Sequence, residues 1–376
     1  MNADPEIHFS QRGPLGVVTL DRPRAVNALT EGMVTAMLAQ LRAWATDDTV
    51  RRVLVQGAGE RGLCAGGDIV AIYRDISSGT AEAGEETARF WRTEYTLNAL
   101  IKNYPKPYIA FMDGLVLGGG IGITAHGSVR IVTERTRCGM PETTIGFVPD
   151  VGGTYLLSRA PGQSGVHAAL TGAHLFAADA LYLGLADYLV PSESLLALAE
   201  ALAAEDAPPG LPAGGLPAGH GATGASELEV VRGIVRRFAQ PAPVSALAAA
   251  QPWIDEAYAW PEAEQIVAAL RTSQEGGEQA RDWAELIESK SPTAVKVTLA
   301  SVRRAAGLAT LEEALDQEYR VGVRMAAAPD MREGIRAQVV DKDRTPRWSP
   351  ATLAEVSAET VESYFGEVLF TGGAGQ

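Results

Sequence analysis

Along roughly the first 190 residues, short apolar runs alternate with stretches whose apolar positions fall three and four apart. Leu15-Gly16-Val17-Val18-Thr19-Leu20 reads as a buried strand, ended by a turn at Asp21-Arg22-Pro23. From Thr30, a candidate N-cap, Met33, Val34, Met37, Leu38 and Leu41 mark one face of a helix. Val50–Gln56, Tyr108–Met112 and Val129–Thr133 repeat the strand signal. Helices are expected after Asp68 and over Ile121–His126. Strands and helices that alternate in this way predict an α/β core, bounded here at residues 1–200.

Residues 207–225 break that pattern. They are rich in Pro and Gly and almost empty of charge and of large apolar side chains, so no packed element is expected there, only a flexible insertion. From 226 to 376 the pattern is largely helical, with helices expected over 226–239, 244–259, 261–271, 276–288, 292–305 and 310–327.

Composition narrows the function. No apolar run approaches the roughly 18 to 20 residues of a membrane span, and the acidic start Met1-Asn2-Ala3-Asp4-Pro5-Glu6 does not read as a targeting peptide. Two cysteines, Cys64 and Cys138, make a disulfide framework improbable and point to a reducing, cytoplasmic setting. A formal charge of −14 argues against nucleic acid as a partner. It does not argue against a small anionic ligand, which a few cations or free backbone amides can hold. The five histidines fall at no metal-ligand spacing, so no metal is expected.

Three segments carry candidate chemistry. Cys64-Ala65-Gly66-Gly67-Asp68-Ile69 follows a strand and opens a helix, where glycines leave amides free for a ligand. The plainer explanation is a tight turn capped by Asp68. Leu117-Gly118-Gly119-Gly120-Ile121-Gly122 has the same context and could equally serve close helix–strand packing. Together the two loops suggest paired backbone donors converging on one oxygen, an oxyanion hole. In the third, Glu142 and Asp150 stand among Gly, Pro and apolar side chains. Partial burial would raise both acids towards the range useful for acid–base or nucleophilic work, while capping is the alternative, more apt for Asp150.

In this order, the motifs resemble the crotonase superfamily over nearly the whole chain. "LDRPRAVNALT" (20–30) is similar to its CoA-contacting segment, "CAGGDI" (64–69) and "GLVLGGGIGITAHG" (114–127) to its oxyanion loops, and "MPETTIGFVPDVGGTYLLSR" (140–159) to its catalytic segment. "LTG" (170–172) and "GLADYLV" (184–190) continue the match. "SPTAVKVTL" (291–299), "EYRVGVRM" (318–325) and "VVDKDRTPRWSP" (339–350) resemble the 3-hydroxyisobutyryl-CoA hydrolase branch. Hydratases of the superfamily use two glutamates. Glu142 matches the second, but the first falls on Gly122, and Asp150 stands where hydratases usually carry glycine.

The resemblance implies a spiral of ββα units with a helical C-terminal region, and a homo-oligomer, trimer or hexamer. It implies hydrolysis of a short 3-hydroxyacyl-CoA in valine breakdown, with no cofactor because CoA belongs to the substrate. Gly67 and Gly119 would supply the oxyanion amides, with Glu142 as nucleophile or general base and Asp150 assisting. "FWRTEYTLN" (90–98) resembles the hydrolases' acyl-pocket stretch, making Glu94 a substrate contact, although a charge on an amphipathic helix usually faces solvent. Arg24, Ala25 and Val26 together with Ala65, Gly66, Asp68 and Ile69 would line the pantetheine path. Arg22, Arg24 and Lys342 are cations that could meet the nucleotide end or simply face water. The competing activities are an enoyl- or dienoyl-CoA isomerase or hydratase, and a non-catalytic acyl-CoA binder.

Overall fold

The computed structural model describes residues 6–204 and 224–367. An N-terminal hairpin, β1 (Ile7–Arg12) and β2 (Leu15–Leu20), starts a six-stranded sheet in which β2 runs parallel to β3 (Arg52–Gly57) and β3 to β4 (Tyr108–Met112). A second, three-stranded sheet begins with β5 (Leu115–Leu117). The large sheet continues through β6 (Val129–Val132), and β7 (Arg137–Gly139) and β8 (Leu175–Phe176) join the small one. β9 (Tyr188–Leu189) closes the large sheet, giving the order β1-β2-β3-β4-β6-β9 beside β5-β7-β8.

Each turn of the chain therefore adds a strand to the large sheet, a short extended segment to the small one, and then a helix. That is the expected ββα spiral. The strands read as continuous apolar runs because both faces of the large sheet are covered. Val18, Leu20, Val53 and Val55 join the main core. Leu15, Val17, Leu54 and Ile109 alternate with them to a second core.

The helices of the first half are α1 (Glu31–Thr46), α2 (Ile69–Ile76), α3 (Glu85–Lys102), α4 (Gly119–Gly122), α5 (Gly153–Leu157), α6 (Ser164–Thr171), α7 (Ala177–Tyr182) and α8 (Leu195–Ala203). Thr30 caps α1 as its sequence suggests, accepting from the Met33 amide. The helix expected over Ile121–His126 is instead the single turn α4, two residues earlier, because its glycines let the chain bend directly out of β5.

Beyond Gly224 the chain forms α9 (Gly224–Arg236), α10 (Ala246–Tyr258), α11 (Ala263–Thr272), α12 (Gly277–Glu288), α13 (Pro292–Ala305) and α14 (Leu311–Ala327). α15 (Pro329–Ile335), with a π-helical turn after it, and α16 (Ala358–Ser363) complete the described helices. The expected insertion at 207–225 lies outside the described residues up to 223, and its last two residues begin α9. Leu198 and Leu202 of α8 and Val231, Ile234 and Val235 of α9 cover the second core. Arg52, 1% exposed, donates to the Ala204 carbonyl at 2.8 Å and pairs with Glu227 at 3.0 Å, so one buried cation ties α8 and α9 to β3. The helical region is not set apart from the α/β core. Val295, Leu299, Leu315 and Val321 belong to the same apolar cluster as Met33, Val55 and Met112.

Candidate active site

What brings the two glycine loops together is strand pairing. The residues after β3 run beside β5, with the Cys64 amide donating to Leu115 O and the Leu117 amide to Cys64 O, a parallel bridge that sets Cys64 against Val116. Two residues further along each segment, Gly66 necessarily faces Gly118. A Cβ on Gly119 would lie 3.4 Å from the Gly67 nitrogen, so the two amides are close neighbours. Neither the Gly67 nor the Gly119 amide donates to a protein acceptor among the described residues, which leaves both available to one oxygen.

Glycine leaves room here for the acids. A Cβ on Gly118 would sit 2.7 Å from Glu142 Oε1, and one on Gly119 would sit 2.5 Å from Glu94 Oε1. Both carboxyl groups thus press against the oxyanion loop. They line a cavity of about 200 Å³ together with Ala65, Gly66, Gly67, Ile69 and Asp150. Glu94 is 2% exposed, not on a solvated helix face; α3 turns it inward beside Phe90 and Trp91, which share the wall. Trp91 stacks on Phe147 with centroids 5.0 Å apart, and both rings line the cavity.

Three buried acids in so small a space cannot all ionise cheaply. Burial pushes Glu142 well above the usual carboxylate range, and the neighbouring Asp150 pushes it further. Glu94 is raised in the same way, by burial first and Asp150 second. Asp150 is raised by burial to about 7, against the pull of the Tyr95 hydroxyl, which donates to its Oδ2 at 2.8 Å. Glu142 Oε2 and Glu94 Oε1 accept no hydrogen bond among the described residues. They are the acids free to meet a substrate.

Not every residue singled out in the sequence lines this cavity. Asp68 does not line this cavity: its carboxylate caps α2 through the Ala71 amide and pairs with Arg22 at 3.0 Å. Arg22 is held between Glu6 and Asp68. Arg24 and Ala25 are exposed and, with the buried Val26, lie outside the lining; Val26 contributes a carbonyl to the Ala65 amide and so supports the loop from behind. Lys342 is exposed and adopts a left-handed backbone, φ 58°, in the C-terminal segment.

The structure also adds residues. Tyr95 follows Glu94 in the same motif, and only the fold shows that its hydroxyl reaches Asp150. Met331 and Gln338, from α15 and the turn after it, close the cavity from the C-terminal region. The position of the missing hydratase acid is physically occupied. A Cβ on Gly122 would meet Val151 Cβ at 2.6 Å and Asn98 Nδ2 at 2.8 Å. Among the described residues, no group of His, Cys, Asp or Glu is arranged to hold a metal ion.

Comparison with known proteins agrees with this geometry. A family profile described as enoyl-CoA hydratase/isomerase matches residues 15–365. A Mus musculus protein named 3-hydroxyisobutyryl-CoA hydrolase, mitochondrial, is 36% identical over 96% of this chain and 88% of its own length. The Homo sapiens protein of that name is 33% identical over 97% and 89%. A crystal structure titled carnitinyl-CoA dehydratase, from Mycobacterium thermoresistibile, superimposes with a TM-score of 0.87 at 48% identity, covering 97% of this chain and 98% of that one. An enoyl-CoA hydratase structure from Rhodobacter sphaeroides gives 0.83 at 36% identity over 96% and 97%. From its ββα spiral, its paired glycine loops and this near-complete match, the chain belongs to the enoyl-CoA hydratase/isomerase family, the crotonase superfamily its motifs resemble.

Proposed function

We propose that this protein hydrolyses a short 3-hydroxyacyl-CoA thioester, with 3-hydroxyisobutyryl-CoA the first candidate, to the hydroxy acid and CoA. One observation carries the reading. Glu142, Glu94 and Asp150 share the cavity beneath two free amides, while position 122 is closed to the second acid that a hydratase needs.

The thioester oxygen would sit between the Gly67 and Gly119 amides, where each donor is worth about 3–4 kcal/mol to the transition state. Glu142, ionised, attacks the carbonyl carbon; the C–S bond breaks and CoA leaves as thiolate, taking a proton from water or a site acid. Water then adds to the mixed anhydride and releases the hydroxy acid and the Glu142 carboxylate. The same carboxylate could instead take a proton from the attacking water, and the geometry suits both. Asp150 and Glu94 bond the substrate's 3-hydroxyl, which disfavours acyl groups lacking it by up to about 10⁴-fold.

No cofactor enters, since CoA is part of the substrate, and we propose trimeric or hexameric assembly. We propose a place in valine breakdown, as the motif resemblance implies. The free, buried thiols of Cys64 and Cys138 suit a reducing compartment, the cytoplasm in our reading, although the relatives are named mitochondrial. No described helix is long and apolar enough to cross a membrane.

The name of the solved structure at 48% identity favours a second reading, dehydration of a hydroxyacyl-CoA. Incubation with 3-hydroxyisobutyryl-CoA should release free thiol rapidly, with the enoyl absorbance of crotonyl-CoA unchanged. A change in that absorbance without any thiol would move the assignment to the hydratase or dehydratase class.

A further inference from the structure

Asp150 sits at the start of an unusual turn. Val151, a β-branched residue, has φ 53°, and Gly152 follows at φ 81°. A branched residue in the left-handed region is strained, and Val151 persists there only because its surroundings enforce it. Three contacts do so here. His126 donates from Nε2 to the Val151 carbonyl at 2.8 Å. The Val151 side chain fills the space over Gly122. The third comes from a residue 164 to 166 positions further along the chain: Glu318 Oε2 accepts from the Gly152 amide at 2.6 Å, and its Oε1 accepts from the Thr154 amide at 2.9 Å and from the Thr154 hydroxyl.

We infer that Glu318 is a positioning residue for this reaction: from α14 it clamps the Gly152–Thr154 backbone and thereby fixes where the Asp150 carboxyl points. The inference rests on the reading of Asp150 given above. Glu318 is 1% exposed and does not line the cavity, so it touches no substrate. Its oxygens are committed to three donors on one turn, and that turn carries Asp150. Burial raises Glu318 to about 8, while its three donors oppose the rise. A carboxyl kept in such a place at that cost needs a reason, and the turn supplies it.

Glu318→Gln tests the clamp, because it keeps the side-chain volume but turns one acceptor into a donor facing a backbone N–H. Hydrogen exchange of the full-length protein, read on the peptide spanning 150–157, should speed at least tenfold in this variant while exchange elsewhere is unchanged. This arm does not depend on which thioester is the substrate. In kinetics with 3-hydroxyisobutyryl-CoA, kcat should fall about 10- to 100-fold with KM within about threefold, as expected for a misplaced catalytic group. Discrimination against isobutyryl-CoA should shrink as well. The double variant Glu318→Gln/Asp150→Asn should be no slower than Asp150→Asn alone, because both losses pass through one carboxyl. Unchanged exchange at 150–157, or losses that multiply in the double variant, would overturn the inference. Faster exchange in a protein whose wild type releases no thiol would uphold the clamp and reject the hydrolase reading. In that case the cycle is run on crotonyl-CoA turnover, with the same two outcomes decisive.

Discussion

At the scale of single residues, the site is governed by how costly it is to ionise Glu142. Burial and the nearby Asp150 both hold its proton on, yet the proposed attack requires the carboxylate. The ionised fraction grows with pH, so kcat/KM should climb from acid pH and level off once the acids have titrated. Asp150→Asn removes a repelling charge and should move that limb to lower pH while lowering the plateau; a pH–rate profile of both proteins checks it. Stability runs the other way. Asp150 rises from 3.8 to about 7 on folding, so the native state holds a proton that the unfolded chain has lost in between. Stability therefore falls as pH rises through that window. Asp150→Asn should raise Tm by a few degrees at pH 8 and by little at pH 4, as thermal unfolding at the two pH values will show. Glu142→Ala should cost at least about 100-fold in kcat with CoA affinity retained, measured by thiol release and by CoA titration.

At the scale of elements, strand pairing and close approach decide the site. The bridge between Cys64 and Val116 sets two glycine loops face to face, and the acids from α3 and from the turn beginning at Glu142 close over them. Each loop glycine had a plainer explanation in the sequence. The structure gives a specific one: Gly118 and Gly119 leave room for carboxyl oxygens, and Gly122 leaves room for Val151. Gly122→Glu should therefore not create a hydratase. Its Cβ would displace Val151 and the turn bearing Asp150, so the variant should lose thiol release and gain no hydration of crotonyl-CoA. Appearance of crotonyl-CoA hydration would show that the pocket yields more readily than its packing implies.

At the scale of the whole molecule, the helical second half completes the first. Glu318 holds the Asp150 turn, and Met331 and Gln338 close the cavity. Lys290 donates to Thr144, two residues from Glu142, at 2.8 Å. The main core runs through both halves without a break. A chain ended after residue 240 would expose that apolar surface and should be recovered as aggregate that binds no CoA, rather than as a smaller folded domain. A soluble, CoA-binding fragment would mean the core is self-sufficient.

The sequence by itself determined a good deal. Short apolar runs and three-to-four spacing located β2, β3, β4, β6 and most helices, because those patterns report burial directly. Motif order singled out Gly67, Gly119, Glu94, Glu142 and Asp150, which the fold gathers around one cavity. The hairpin strand β1 went unrecognised, since Ile7–Arg12 is mostly polar and exposed at the sheet edge and gives little apolar signal. Only tertiary structure could decide which residues of a motif line the cavity. Asp68 was drawn away to cap a helix and to pair with Arg22, while Glu94 was turned into the core. It alone could join Tyr95 to Asp150 and Glu318 to the turn beyond it, because those contacts span 55 to 166 residues and leave no local pattern. Periodicity records whether a side chain is buried; what it is buried against depends on how distant segments pack.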